Sequence, residues 1–444
     1  MQKKILLIFI IIYSLIYCNS ISLNKAIEIA IKKDTNLKKL KIQNRIIKTQ
    51  KKNIILNYIP DVSFSQNYEK QKLIDIEGEE VLIKDFNSSI NVSMPLFYTN
   101  KNKDLFDSYG YSKKINNNKV KMEVNSIKIH VMILYFNILK NLEKTRFWKM
   151  EIENAENRLK KARKMLELDR ITEIDYLENK YYYSYVSYNL KKSKHDFKKS
   201  IINLEQYLNL NIKKVKNYKF TKKSIQNDYS YFKRKAMENN PEYKNIGLNY
   251  KMNKKLYSYT KKRRFPDISV FFNNNYNGDK ITDFDNNEFT VGVNVDITDL
   301  FTTDSHFDYR SNDESDYEYF SYNINFLTGN NLKIDILNSK KNYLENQIEN
   351  SKKQKTLEKK IKNVFYDFIN SRENFEVKKE KLNLNKEKKN MKLKKYSLEM
   401  IDDEEKVESI KEYSQAKLEY LDARFNYIIN YFKLKKEAGM DIKL

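Results

Sequence analysis

The 444-residue chain contains only four prolines, seven glycines and one cysteine. So few chain breakers exclude a string of small, loop-rich domains, each of which would need its own turns. Pro60, Pro95, Pro241 and Pro266 all fall at expected element boundaries, and the stretches between boundaries are long. Residues 101–168 hold one glycine, Gly110, and no proline, and residues 330–397 hold neither. At about 1.5 Å per residue, each stretch predicts a rod of roughly 100 Å, which points to helical hairpins or a coiled coil. A single cysteine, Cys18, excludes a disulfide framework. The three histidines (His130, His195 and His306) show no metal-ligand spacing. No glycine-rich phosphate loop or nucleophile–base set is present either, so the reading is a non-enzyme without cofactor or metal.

Charge is abundant. Lys and Arg number 84 against 59 Asp and Glu, a net charge of +25. The lysines are spread along every expected helix rather than gathered in a stripe, which marks solvated outer faces and not a nucleic-acid surface. Lys3 and Lys4 precede an apolar run, Ile5 to Ile16, that is short for a membrane span and is followed by small or polar residues. This is the form of a secretory signal peptide over residues 1–20. Leu15-Ile16-Tyr17-Cys18 also loosely resembles a lipidation sequence, which leaves Cys18 open as an acylation site.

The mature region repeats itself. Pro60-Asp61-Val62-Ser63-Phe64 recurs as Pro266-Asp267-Ile268-Ser269-Val270, and the same offset pairs Ala30 with Ala236 and Leu37 with Tyr243. Two copies of one structural unit follow. In each copy the proline removes a backbone donor and forces its predecessor out of helical geometry, so a helix ends and an extended segment begins. The first repeat, 21–210, is expected as helix 22–59 capped by Ser22, strands 61–69 and 86–97, and helices 101–168 and 173–209. Residues 211–229 read as a linker. The second repeat, 230–439, is expected as helix 230–265, strands 267–276 and 318–328, and helices 330–397 and 404–438, with Gly439 just past the end.

Val62, Phe64 and Tyr68 alternate with Ser63, Ser65 and Asn67, and Ile90, Val92 and Met94 alternate with Asn91 and Ser93. In a soluble sandwich one such face is core; in a membrane barrel the apolar face meets lipid and the small polar face lines a lumen. An exported chain with no other spanning segment favours the barrel. The second repeat offers two candidates for its second strand, Val291–Ile297 and Phe320–Phe326. A segment that leaves and re-enters on one side needs an even number of crossings, so three strands are excluded. Residues 318–328 are preferred because they lead directly into the next helix, which places the other run outside the bilayer. Tyr181, Tyr182, Tyr183, Tyr185 and Tyr188 are expected to pack between helices.

The Pro-Asp-(Val/Ile)-Ser junctions, Pro95-Leu96-Phe97, Ile174-Asp175, and Ala416-Lys417, Glu419, Ala423-Arg424 and Asn426 to Asn430 together resemble the TolC-like outer-membrane efflux proteins. That resemblance implies an α+β membrane protein. Three chains would each give four strands to one twelve-stranded barrel that continues into a long α-helical periplasmic barrel. It also implies a homotrimeric, passive exit duct of a tripartite efflux or type I secretion system in the outer membrane. Its partners would be a periplasmic adaptor and an inner-membrane RND-type or ABC transporter. By the same resemblance Glu405 and Glu408 form a periplasmic gate, Asp175 and Tyr396 link it, and Asp402 and Asp403 add to the acidic ring. The family carries an arginine where this chain has Ile401; either Lys406 or Arg170 substitutes, or the closed state is held more weakly. A reading of another class is an exported coiled-coil scaffold, lipid-anchored through Cys18, with no channel.

Overall fold

The computed structural model describes residues 20–74, 80–96, 100–218, 228–278, 286–297, 301–312, 316–326, 331–398 and 400–442. Residues 1–19 of the expected signal peptide, Cys18 among them, and Phe97 lie outside the described residues. The elements run α1 (Leu23–Lys33), α2 (Thr35–Leu56), β1 (Asp61–Ile74), β2 (Glu80–Pro95), α3 (Asn100–Glu167) and α4 (Glu173–Leu208). The second series is α5 (Tyr229–Asn239), α6 (Pro241–Lys262), β3 (Asp267–Gly278), β4 (Asn286–Ile297), β5 (Phe301–Asn312), β6 (Asp316–Phe326), α7 (Asn331–Ser397) and α8 (Asp403–Glu437).

The duplication holds to the residue at the start of each series. Helices α1 and α5 both have 11 residues, and α2 and α6 both have 22, each pair standing at the offset that relates Pro60 to Pro266. Where one helix was expected over 22–59 and one over 230–265, each is broken once, at equivalent residues. Asp34 and Asn240 leave helical ψ, at 123° and 122°, and their side chains re-cap the next helix. Asp34 Oδ1 accepts from Leu37 N at 2.6 Å, and Asn240 Oδ1 accepts from Glu242 N at 2.7 Å. Pro241 then opens α6 at the one position where a missing N–H costs nothing.

Two compact units are present. One comprises the described residues up to Lys39, Lys119–Lys244 and Lys355 onward; the other comprises Leu40–Asn118 and Asn245–Gln354. Among the described residues the first unit is all helical apart from one parallel bridge, Ile21 to Val215. Its main core gathers Ala26, Ala30, Val131, Phe136, Leu204, Phe368, Ile428 and Ala438. Tyr135 crosses this core: its hydroxyl donates to Lys216 O at 2.6 Å with Ile21 O at 3.1 Å, and burial pushes its pKa up to about 12 despite that hydrogen bond. Ile212 and Val215 are buried here, so the start of the expected linker is packed.

A second cluster, Trp148, Ala155, Tyr182, Val186, Val407 and Ile410, joins α3, α4 and α8. Of the tyrosine run only Tyr182 is fully buried, donating to Glu151 Oε2 at 3.1 Å, whereas Tyr181, Tyr185 and Tyr188 are exposed on the single chain. The expectation of a wholly packed cluster is corrected to that extent. Adjacent tyrosines point around a helix at about 100° intervals, so one stripe cannot take them all.

The other unit carries the sheet. It is a six-stranded antiparallel meander in the order β1-β2-β3-β4-β5-β6. The expected four strands per chain are therefore six. Both competing runs belong to the sheet as far as they are described, the first in β4 up to Ile297 and the second in β6 up to Phe326, and β5 lies between them. Four strands in the second repeat are an even number, so they satisfy the parity requirement as two would. The first two strands also run further into the charged interval than the expected 61–69 and 86–97: Glu69 pairs with Asp85 and Ile74 with Glu80.

Candidate functional site

Two features bear on function, one in each unit. The first is the sheet, whose register aligns its faces across all six strands. Val92 lies opposite Val62 and Phe272, Phe272 opposite Val291, Val291 opposite Phe307, and Phe307 opposite Phe320. Side chains directly opposite share a face. One face therefore carries Phe64, Ile90, Val270, Val293, Tyr309 and Ile324, interrupted by Gln66, Ser88 and Asn274. Phe64 and Phe320 on this face are 64% and 68% exposed, too much apolar surface for a wet sheet.

The polar side chains on this face are satisfied locally in several places. Ser305 Oγ donates to Val293 O at 3.3 Å, Thr303 Oγ1 to Val295 O at 3.4 Å, and Asn274 Nδ2 to Tyr276 Oη at 2.8 Å. The opposite face is amide- and hydroxyl-rich: Ser63, Ser65, Asn91, Ser93, Ser269, Asn273, Asn275 and Asn323. On that face Gly292 sits between Phe271 and His306, and the Phe271 ring lies over it. A Cβ at Gly292 would collide with that ring and come within 2.8 Å of Ser305 O. Gly292→Ala should therefore lower stability by about 1–2 kcal/mol, measured as the thermal midpoint of the detergent-solubilised protein; an unchanged midpoint would show that the ring moves aside freely.

Pro60 and Pro266 stand immediately before β1 and β3, at the expected helix-to-strand junctions. Every strand has at least 11 residues, enough to cross a bilayer at a barrel tilt. Among the described residues no helix is long and apolar enough to cross a membrane.

The second feature is the turn region of the helical hairpins. The chain turns from α3 to α4 through Asp169, which adopts φ 53°, and re-enters helix at a capping box. Asp175 N donates to Thr172 Oγ1 at 3.2 Å, and Asp175 Oδ2 accepts from Thr172 N at 2.8 Å. At the other hairpin Asp402 caps α8 by accepting from Glu405 N at 2.9 Å. The two turns share an open cavity of about 830 Å³ whose lining includes Arg170, Asp175, Tyr396, Ile401 and Asp402. The structure thus brings together both expected linking residues, the isoleucine at the family's arginine position and one of its possible substitutes. Lys406, the other, is buried with its ammonium 3.4 Å from the centroid of the Tyr396 ring.

Glu405 forms an ion pair with Lys392 of α7, whereas Glu408 is exposed; the Asp403 side chain lies outside the described residues. Glu178 was not anticipated. Its carboxyl is held above the usual range by partial burial first, then by Glu404, Asp175 and Asp402. Acidic groups from the first turns of α4 and α8 therefore crowd one another. The sequence signal was present in Glu178 and Glu404, but nothing local showed that turns belonging to different repeats would meet.

No family model and no curated protein matches the sequence. Solved structures match its fold. The CmeC outer membrane channel of Campylobacter jejuni aligns with a TM-score of 0.71 at 13% identity, covering 94% of this chain and 85% of its own. The MtrE outer membrane channel of Neisseria gonorrhoeae, in its open state, gives 0.71 at 12%, covering 95% and 89%. The outer membrane protein VceC of Vibrio cholerae gives 0.70 at 9%, covering 95% and 97%. The chain has the fold of these outer membrane channels, the TolC-like fold that its motifs resemble.

Proposed function

We propose that the protein is a passive exit duct of the outer membrane, working with a periplasmic adaptor and an inner-membrane RND-type or ABC pump in efflux or type I secretion. The observation that carries this reading is the sheet. Among the described residues its six strands have one apolar face and end at β1 and β6 with no further strand beyond either, so they do not make a closed barrel. In lipid each unpaired backbone group costs several kcal/mol, so the edges must be joined by further copies of the chain. β1 and β6 run in opposite directions, so the edge of one copy pairs antiparallel with that of the next. By the family resemblance the copies number three. The sheet lies in the outer membrane and the helical turns in the periplasm. No chemistry or nucleotide is required.

The acidic turn region is the gate. Since Glu405 is already paired with Lys392, a threefold ring of Glu408 carboxylates provides more of the free negative charge, and such rings favour cations. Glu408→Ala is expected to reduce cation selectivity in a planar bilayer, and the Glu405/Glu408 double alanine variant to raise conductance as well. Unchanged selectivity and conductance in both would remove the gate assignment. The duct reading itself is tested by extraction and electrophysiology: the protein should leave outer membranes only with detergent, run as a heat-sensitive oligomer and conduct ions. A water-soluble monomer would refute it.

A further inference from the structure

The two repeats are unequal, and the inequality falls at one place. A constant offset relates Leu23 to Tyr229 at the starts of α1 and α5, and Asp61 to Asp267 at the starts of β1 and β3. Applied to Asn100, where α3 opens, that offset would open α7 at His306; α7 opens instead at Asn331. The second repeat is therefore longer by the stretch from His306 to Asn331, close to the combined length of β4 and β5, each 12 residues. The added pair continues the sheet without a slip. Phe272 reaches Phe320 through Val291 and Phe307, and Ile268 reaches Ile324 through Val295 and Thr303. The outer strands of this repeat would thus keep the same faces if they were direct neighbours.

A surface loop needs none of this. β4 and β5 instead equal β3 in length, present Val291, Val293, Val295 and Phe307 on the shared apolar face, and turn the hydroxyls of Thr303 and Ser305 back onto β4 carbonyls. Their other face brings Thr290, His306 and Asp308 into line with the amide-rich side of the sheet, where the Ser321 hydroxyl lies 2.7 Å from His306 Nε2.

We infer that β4–β5 is an inserted hairpin forming a full part of the barrel wall, so that three copies close eighteen strands and not twelve. The inference rests on the duct reading above and deepens it by setting the bore. Barrel diameter grows roughly linearly with strand number, so the bore is about 1.5 times that of a twelve-stranded wall, in the range where barrels hold a wide aqueous channel. The size limit for cargo at the sheet end is raised accordingly.

The test is removal of residues 286–315, which leaves residues 279–285 to connect β3 to β6 and restores direct pairing of Phe272 with Phe320. The variant should still be a membrane-extracted oligomer of the same copy number, with a barrel about two-thirds as wide as wild type in single-particle images. Equal diameters, or a wild-type ring of two copies and twelve strands, would overturn the inference.

Should the shortened chain not assemble, nitroxide labels on the full-length protein decide the matter, in a background lacking Cys18. Labels at Val293 and Phe307 should be accessible to oxygen dissolved in lipid, and labels at Thr290 and His306 to a water-soluble nickel chelate. Four water-accessible labels on a protein that still embeds and conducts would place the hairpin outside the wall while leaving the duct intact. Failure of the full-length protein to embed would instead refute the duct reading, and the hairpin assignment with it.

Discussion

Exchanging Gly439 for valine is expected to cost the folded chain about 3 kcal/mol or more. Helix α8 closes at Ala438, and Gly439 at φ 66° reverses the chain so that its N–H reaches Lys436 O at 3.0 Å and Met440 N reaches Lys435 O at 2.9 Å. A side chain at residue 439 would carry the left-handed penalty, and its Cβ would strike the backbone of Asn240. Asn240 is not free to retreat. It is buried, donates to Glu437 O at 2.7 Å and accepts from Glu242 N, so it closes α8 while starting α6. Urea or thermal unfolding of purified protein should show the loss. Gly439→Ala should lose less, because a methyl group collides with less than an isopropyl group. Equal stabilities for wild type and the valine variant would mean that this junction is pliable.

Asp104→Asn is expected to remove about 2 kcal/mol and, with it, a distinct acid sensitivity. Asp104, in the first turns of α3, is buried and accepts from Lys255 Nζ, Lys262 Nζ and Ser258 Oγ of α6, each at 2.7 Å. Burial by itself would raise its carboxyl, but the hydrogen bonds from Lys255, Lys262 and Ser258 outweigh it and hold the pKa at about 2 against an ordinary 3.8. A carboxyl lowered by folding contributes stability that is complete above the unfolded pKa. That stability fades as pH falls from about 4 towards 2, where the folded form also takes up its proton. The wild-type protein should lose stability across this window, and the asparagine variant should show less of that slope. Parallel pH profiles for the two would show that the contribution lies elsewhere.

Much of this architecture is legible in the sequence because local rules and the duplication agree. Pro60 and Pro266 mark where helix gives way to strand, Thr172 with Asp175 marks a helix start, and Gly439 marks an end. The breaks at Asp34 and Asn240 are harder to see, since apolar periodicity runs on across them and only side-chain capping reveals the bend. β5 is the clearest omission. Its Asp304, His306, Asp308 and Arg310 look like loop charge, and Thr303 and Ser305 dilute the alternation between Phe301 and Phe307. Only its pairing partners show that His306 and Asp308 lie on the polar face and that the hydroxyls are satisfied. At the turns, Asp175, Asp402 and Glu405 could be named in advance, but Glu178 beside Glu404, Lys392 on Glu405 and Lys406 on Tyr396 depend on how helices pack, which no spacing encodes.

The even strand count has a further consequence for how such a wall can vary. A hairpin is the smallest addition that returns the chain to the side it left, so circumference can be enlarged by two strands per copy while the first and last strands keep their opposed directions. In the proposed duct the seam between neighbouring copies then needs no redesign, and α7 starts from the same side in either case. Girth and helix number are therefore separate variables in this chain, and a wider or narrower mouth can be reached by gaining or losing one β-ribbon.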